Sequence, residues 1–262
     1  MSEQKMTALV TGASGGIGLE LARLLAADGH GLVLVARSGD KLARLAEELS
    51  GEHNVAARVL TADLVRPEAP GEIFDDLQAK GVAVDVLVNN AGFGSYGHFA
   101  ETDLRSELEL LQVNVVALTH LAKLFLPQMI SRRRGYVMNV ASTAAFQSGP
   151  LMAVYYASKA YVLSLSEALA NECEGTGVVV SALCPGPTET GFVAAAGMGD
   201  SKLFDRGAMD ARTVAEEGYR GMLAGKTIVI PGLRNALVAR AVGFLPRRMV
   251  TKAVRGIQEK RG

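Results

Sequence analysis

The chain has 262 residues, of which 49% are apolar and 21% charged, and its 27 basic side chains equal its 27 acidic ones. This length and apolar content are enough to bury one core, which excludes a disordered chain, and two cysteines exclude a disulfide-rich scaffold. The balanced charge excludes the strong positive field that holds nucleic acid, so we expect no nucleic-acid partner.

The charge is unevenly distributed along the chain. Residues 232–262 carry eight basic side chains against Glu259 alone, so the remainder carries 19 basic and 26 acidic side chains. Cys173 and Cys184 show no CxxC spacing, and we expect reduced, buried thiols, which are typical of the cytoplasm. The N-terminus is polar and no uninterrupted apolar run approaches the ~18 residues needed to span a bilayer, so we expect a cytoplasmic protein.

Short apolar or β-branched runs alternate with helical patterns along the chain, as βαβ units with a parallel sheet require. The predicted strands are 6–11, 31–36, 55–62, 84–89, 135–140, 178–183 and 227–230. The predicted helices are 18–28, 40–49, 67–79, 104–130, 155–173 and 213–223. The pattern predicts a single α/β domain with a doubly wound, seven-stranded parallel sheet flanked by helices. Residues 1–232 form this domain, and 233–262 are a basic helical extension of it.

A glycine-rich turn follows the first predicted strand and opens directly into a helix. Gly12, Gly16 and Gly18 give the spacing Gly-x-x-x-Gly-x-Gly, which differs from the usual Gly-x-Gly-x-x-Gly dinucleotide fingerprint. Glycines let backbone N–H groups approach a pyrophosphate at the positive end of the helix. A tight turn without a ligand is the alternative interpretation.

The residue after the second predicted strand is Arg37, followed by Ser38, with no carboxylate to hold the ribose hydroxyls of NAD(H). A guanidinium has the geometry to pair with a 2′-phosphate. We therefore expect NADP(H) to be preferred over NAD(H). The alternative is that Arg37 is a solvated residue at the start of a helix.

Two residues that could exchange a proton lie four apart at the start of the helix 155–173, namely Tyr155 and Lys159. An ammonium beside a phenol lowers its pKa, so we expect Tyr155 to exchange a proton near neutral pH. Ser142, just after the fifth strand, should point into the same crevice. Surface pairing of Tyr155 and Lys159 is the alternative.

In these motifs the sequence resembles the classical short-chain dehydrogenase/reductases, over about residues 5–232. The resemblance implies a Rossmann-type fold, a homo-oligomer and a carbonyl or secondary-alcohol substrate. It rests on the ordered set Gly12 to Gly18, Asp63, Asn89-Asn90-Ala91-Gly92, Asn114, Ser142, Tyr155, Lys159 and Pro185-Gly186.

The resemblance also implies roles for individual residues. The catalytic residues would be Asn114, Ser142, Tyr155 and Lys159. Asn114 would anchor a water and Ser142 would hold the substrate oxygen. Tyr155 would exchange the proton, and Lys159 would bind the nicotinamide ribose. The cofactor would be bound by Gly12, Ser14, Gly16, Ile17, Gly18, Arg37, Asp63, Leu64, Asn90, Ala91, Gly92, Pro185, Gly186, Thr188 and Thr190, together with Tyr155 and Lys159. Histidines and cysteines are not clustered, so we expect no metal site.

The substrate pocket is expected to contain Phe93, Met152 and Phe192, although core packing would also explain these residues.

Past Pro246, apolar residues recur at helical spacing opposite basic ones. Packing of this helix on the rest of the same chain, or on a second subunit, would explain its apolar face. Contact with anionic lipid or with the phosphates of an acyl-CoA is the sharper hypothesis.

The sequence therefore predicts an NADP(H)-dependent oxidoreductase that interconverts a ketone or 3-oxoacyl-type carbonyl and a secondary alcohol. A non-catalytic regulatory or scaffold protein that binds a dinucleotide is the alternative. Sugar-nucleotide epimerases and dehydratases normally need a longer chain than this one.

Overall fold

The computed structural model describes residues 5–191 and 207–259. Within these ranges the strands are β1 (Thr7–Thr11), β2 (Gly31–Ala36), β3 (Ala57–Thr61), β4 (Val86–Asn89), β5 (Gly135–Val140), β6 (Val178–Leu183), β7 (Thr188–Glu189), β8 (Met209–Asp210) and β9 (Ile228–Val229). Seven of them form the main parallel sheet in the order β3-β2-β1-β4-β5-β6-β9, and β7 pairs with β8 in a separate two-stranded sheet. This topology confirms the predicted doubly wound parallel sheet of Rossmann type.

Helices cover both faces of the sheet, as the apolar periodicity predicts. They are α1 (Gly16–Ala27), α2 (Gly39–His53), α3 (Ala69–Ala79), α4 (Leu104–Leu111), α5 (Leu118–Ser131), α6 (Ala153–Glu172), α7 (Ala211–Leu223), α8 (Leu233–Val242) and α9 (Arg247–Gln258). Two of these helices, α8 and α9, lie in residues 233–262, which the sequence analysis treated as one basic helical extension.

Alternate residues of β1 bury their side chains in two separate cores. Val10 packs with Leu21 of α1 and Val214 of α7 on one face, while Leu9 packs with Leu77 and Phe125 on the other. Side chains of a strand point alternately to opposite faces, so a strand buried on both sides reads as a continuous apolar run. The two cores fix the sheet and thereby the edge at which its strands end.

The predicted helix 104–130 is interrupted by a π-helical turn at Gln112–Ala117, between α4 and α5. Single π turns inside α-helices are rare and often occur at functional sites, and this one contains Asn114. A periodic pattern of apolar residues does not reveal one extra residue per turn. The prediction of a single helix was therefore wrong at this turn.

The helical segment Leu104–Ser131 has the length and composition to cross a membrane, with 28 residues and a mean hydropathy of 1.4 in its most apolar window. Its residues Leu121, Phe125 and Met129 are buried in the core beneath the sheet. We interpret the segment as a core helix.

Candidate functional site

A cavity of about 620 Å³ lies at the edge where the parallel strands end. Ligands of doubly wound folds bind at this edge, because the loops after the strands converge there. Of the predicted site residues, the lining includes Gly12, Ser14, Gly16, Ile17, Arg37, Asp63, Leu64, Asn90, Ala91, Gly92, Phe93, Ser142, Met152, Tyr155, Lys159, Pro185, Gly186, Thr188 and Thr190. Gly18 and Asn114 lie behind the wall, and Phe192 is outside the described residues. One cavity thus brings together most of the predicted residues.

The glycine turn between β1 and α1 is packed too tightly for side chains. Gly12 has φ +67°, and a Cβ there would lie 2.7 Å from the Asn90 amide nitrogen. A Cβ on Gly18 would clash with the same amide and with the Gly12 carbonyl. Gly18 therefore shapes the turn from behind the cavity wall.

The first turn of α1 begins at Gly16 and has no side-chain cap. The N–H groups at a helix start lack partners within the helix, and the helix dipole favours an anion there. With Gly12, Ser14 and Ile17 on the cavity wall, this end of α1 fits the pyrophosphate of a dinucleotide.

Asn90 holds the end of β4 against the glycine turn. Its amide nitrogen donates to the carbonyl oxygens of Thr11, at 2.9 Å, and Gly12, at 3.3 Å, while its backbone N–H donates to the Thr11 hydroxyl at 3.0 Å. The amide nitrogen of Asn90 is thus used within the protein, and its contact with the adenosine ribose stays a prediction.

Three polar residues follow β2 at one end of the cavity, namely Arg37, Ser38 and Lys41. The sequence analysis selected Arg37 but missed Lys41, which lies one helical turn further along the chain. Arg37 and Lys41 are exposed. Two cations and a hydroxyl group form an environment suited to a phosphate group. The position of Lys41 in the first turn of α2, four residues after Arg37, was the signal that could have identified it.

Ser142, Tyr155 and Lys159 lie together on the cavity wall, near the end of β5. The Ser142 hydroxyl accepts from the Ala144 N–H at 3.1 Å and forms a hydrogen bond with the Tyr155 phenol. Lys159 lies with its ammonium 5.8 Å from the centre of the Tyr155 ring and donates to the Val140 carbonyl at 2.8 Å. The predicted hydroxyl, phenol and ammonium are therefore adjacent.

The expected lowering of the Tyr155 pKa is wrong for this structure. Burial raises the pKa of Tyr155, an effect that the hydrogen bond from Ser142 opposes only in part. Burial also lowers the pKa of Lys159, from 10.5 to about 8. The sequence shows that the two groups are neighbours, but their desolvation depends on the folded core around them.

Asn114 is buried in the π-helical turn and is bonded to the segment after β4. Its amide oxygen accepts from the Phe93 N–H at 3.1 Å, and its amide nitrogen donates to the Phe93 carbonyl and to the Ser158 hydroxyl. These contacts hold Phe93 on the cavity wall. A role for Asn114 in anchoring a water stays a prediction.

Two further residues of the lining were not selected from the sequence, namely Tyr156 and Gln258 of α9. The Gln258 amide nitrogen donates to the Tyr156 hydroxyl at 2.5 Å, across 102 residues of sequence. No local pattern could have linked them, although the helical spacing of Val250, Val254 and Gln258 was a signal for the buried face of α9.

Among the described residues, no group of three or more histidine, cysteine, aspartate or glutamate side chains is placed to hold a metal ion.

Comparison with known proteins shows similarity to dinucleotide-dependent enzymes. A family model described as short chain dehydrogenase matches residues 6–200. A very-long-chain 3-oxoacyl-CoA reductase of Phaeosphaeria nodorum is 36% identical over 179 residues, which are 66% of this chain and 52% of that protein. The match thus spans about half the length of that relative.

Two solved structures share the fold over nearly the whole chain. A short-chain dehydrogenase from Sphingobium yanoikuyae in complex with NADPH has a TM-score of 0.83 and 32% identity, covering 97% of this chain and 98% of that one. A short chain dehydrogenase/reductase from Burkholderia phymatum in complex with NAD has a TM-score of 0.82 and 25% identity, covering 100% and 99%.

Proposed function

The chain belongs to the short-chain dehydrogenase family, and we propose that it is an NADP(H)-dependent oxidoreductase interconverting a carbonyl and a secondary alcohol. The observation that carries this proposal is the position of Ser142, Tyr155 and Lys159 in the same cavity as the uncapped start of α1. A purely structural role would not require a partly buried hydroxyl beside a buried phenol and a buried ammonium in this cavity.

The preference for NADP(H) is supported by Arg37, Ser38 and Lys41 at the end of β2. A 2′-phosphate would find two cations and a hydroxyl there. Similar structures hold either NADPH or NAD, so the family alone leaves the choice of cofactor open. When bound, NADPH supplies the hydride that reduces the carbonyl carbon.

In this mechanism Tyr155 donates its phenolic proton to the carbonyl oxygen during reduction. Burial raises its pKa, which keeps the phenol protonated at neutral pH, as a proton donor requires. The Ser142 hydroxyl donates a hydrogen bond that stabilises negative charge developing on the substrate oxygen. Lys159 places a cation 5.8 Å from the Tyr155 ring, which favours the phenolate formed after proton transfer.

The test is reduction of a ketone panel with NADPH by the wild type and by Tyr155→Phe. We expect Tyr155→Phe to lower turnover by about 10²–10⁴-fold, the usual contribution of a general acid, with the NADPH dissociation constant changed less than about threefold. Full activity in this variant would show that Tyr155 is not the proton donor. Tight NADPH binding by a wild type without turnover on any ketone would favour the non-catalytic alternative.

We propose that the chain forms a homo-oligomer through α4, α5 and α6. Apolar side chains on these helices, and in the π turn between α4 and α5, are exposed in the single chain, including Leu108, Val116 and Tyr161. Burying such residues against a second copy would remove them from water. Light scattering of the purified protein measures the oligomeric state directly, and a monomer would contradict this proposal.

Contact of the C-terminal segment with anionic lipid or acyl-CoA phosphates stays a proposal. Val250 and Val254 of α9 are buried against the body of the protein, so self-packing accounts for the apolar side of this helix. What supports a lipid contact is the turn between α8 and α9, where Phe244 is 90% exposed beside Arg247 and Arg248.

A further inference from the structure

The end of α9 forms part of the wall of the reaction cavity. Val250 and Val254 pack in one cluster with Met152, Tyr155 and Tyr156. One turn beyond Val254, the side chain of Gln258 reaches the cavity lining and is completely buried. The C-terminal helix therefore brings an amide next to the region in which the substrate reacts.

Gln258 is fixed in place by two tyrosines from distant parts of the chain. The backbone carbonyl oxygen of Gln258 accepts from the Tyr96 hydroxyl at 2.7 Å, and its side-chain amide nitrogen donates to the Tyr156 hydroxyl at 2.5 Å. Tyr156 in turn packs against Gly149, where a Cβ would clash with its ring. The amide and the phenol are thus held rigidly, as a binding group must be.

Two hydrogen-bonding functions of this pair have no partner among the described residues. The Gln258 amide oxygen is buried and accepts no hydrogen bond from them. The Tyr156 hydroxyl accepts a hydrogen bond from Gln258. Among the described residues, no hydrogen-bond acceptor is found for the hydroxyl proton of Tyr156. A buried polar group without a partner costs about 1–3 kcal/mol, which a complementary ligand group recovers on binding.

We propose that Gln258 and Tyr156 form a subsite for a hydroxyl group of the substrate, separate from the carbonyl that reacts. A hydroxyl group both donates and accepts, so it can donate to the Gln258 amide oxygen while accepting from the Tyr156 phenol. Around the pair the wall is apolar, with Phe93 and Met152 in the lining. The substrate class is then a largely apolar ketone that also carries a hydroxyl group.

This inference rests on the proposed reductase activity, and it is tested with matched pairs of apolar ketones. The members of a pair differ only in one hydroxyl group, and the panel spans several separations between hydroxyl and carbonyl. For the separation that fits the site, wild-type kcat/KM should be about 10–100-fold higher for the hydroxylated member, because its analogue leaves both buried groups unpaired.

The variants Gln258→Met and Tyr156→Phe should each reduce this preference to less than about threefold. Exposed Lys252 lies on the same helix, and Lys252→Met is the matched control that should keep the preference. A merely structural role for Gln258 would lower kcat/KM for both members equally and would overturn the proposal.

The wild type also gives a test that needs no variant to fold. Reduction of ketones without preference for any hydroxylated member would refute the subsite while leaving the proposed reductase activity intact. Absence of reduction of every ketone with both NADPH and NADH would instead refute the proposed activity, and the subsite with it.

Discussion

Replacing Lys159 by methionine tests whether this ammonium is held in the protein interior at a cost in stability. Lys159 is 5% exposed, and among the described residues its ammonium donates a hydrogen bond to the Val140 carbonyl alone. The ion pairs among the described residues do not include it. Desolvation accordingly lowers its pKa from 10.5 to about 8.

This difference in pKa sets the size and the sign of the effect. Below pH 8 Lys159 is charged in both states, and its burial costs the folded protein about 3 kcal/mol. Methionine removes that cost but leaves the Val140 carbonyl without its donor, which costs about 1–3 kcal/mol. At pH 7 we therefore expect the variant to equal the wild type or exceed its stability by up to about 2 kcal/mol.

The pH dependence separates the two contributions. As pH rises from 8 towards 10.5, Lys159 loses its proton in the folded state before it does so in the unfolded chain, so the burial cost disappears. The free energy of unfolding of the wild type, relative to Lys159→Met, should rise by about 2–3 kcal/mol between pH 7 and pH 10. The lost bond to Val140 does not depend on pH in this range.

The assay is urea unfolding followed by far-ultraviolet circular dichroism, since the chain contains no tryptophan. Exposed Lys123 on α5 provides the matched control, because Lys123→Met removes an ammonium that is already in water. Its difference from the wild type should be the same at both pH values. If the difference for Lys159→Met were also independent of pH, the buried ammonium would be wrongly assigned.

Two other predictions concern the ends of the cavity and of the chain. Arg37→Ala should raise the NADPH dissociation constant by about 10–100-fold and change that of NADH less than threefold, as measured by nicotinamide fluorescence, because only the 2′-phosphate loses a charge-assisted hydrogen bond. Equal losses for both cofactors would contradict the role of Arg37. Phe244→Asp should weaken flotation with phosphatidylglycerol vesicles by about tenfold without changing ketone reduction. If the wild-type protein does not bind such vesicles, the lipid contact is excluded. Deleting α9 would not test this contact, because it would also remove Gln258 from the cavity wall.

The local pattern of the sequence was sufficient to predict the sheet and most of the helices around it. Strands such as β2 and β6 are buried on both faces, so their continuous apolar runs stand out from the spaced apolar residues of the helices. The glycine turn could also be identified from the sequence. The close approach of Asn90 to Gly12 excludes a side chain there, so this position requires glycine. The sequence also identified Ser142, because it comes directly after a strand, and Tyr155 and Lys159, because they share one face of a helix.

Only the tertiary structure decided the features that depend on contacts between distant segments. The pKa of Lys159 depends on burial by several elements, and the π turn at Asn114 accompanies its bonds to Phe93 and Ser158. Gln258 reaches Tyr156 only because α9 folds back onto the body of the protein. Desolvation and long-range hydrogen bonds are properties of the packed chain, and a period of 3.6 residues within one helix carries no information about them.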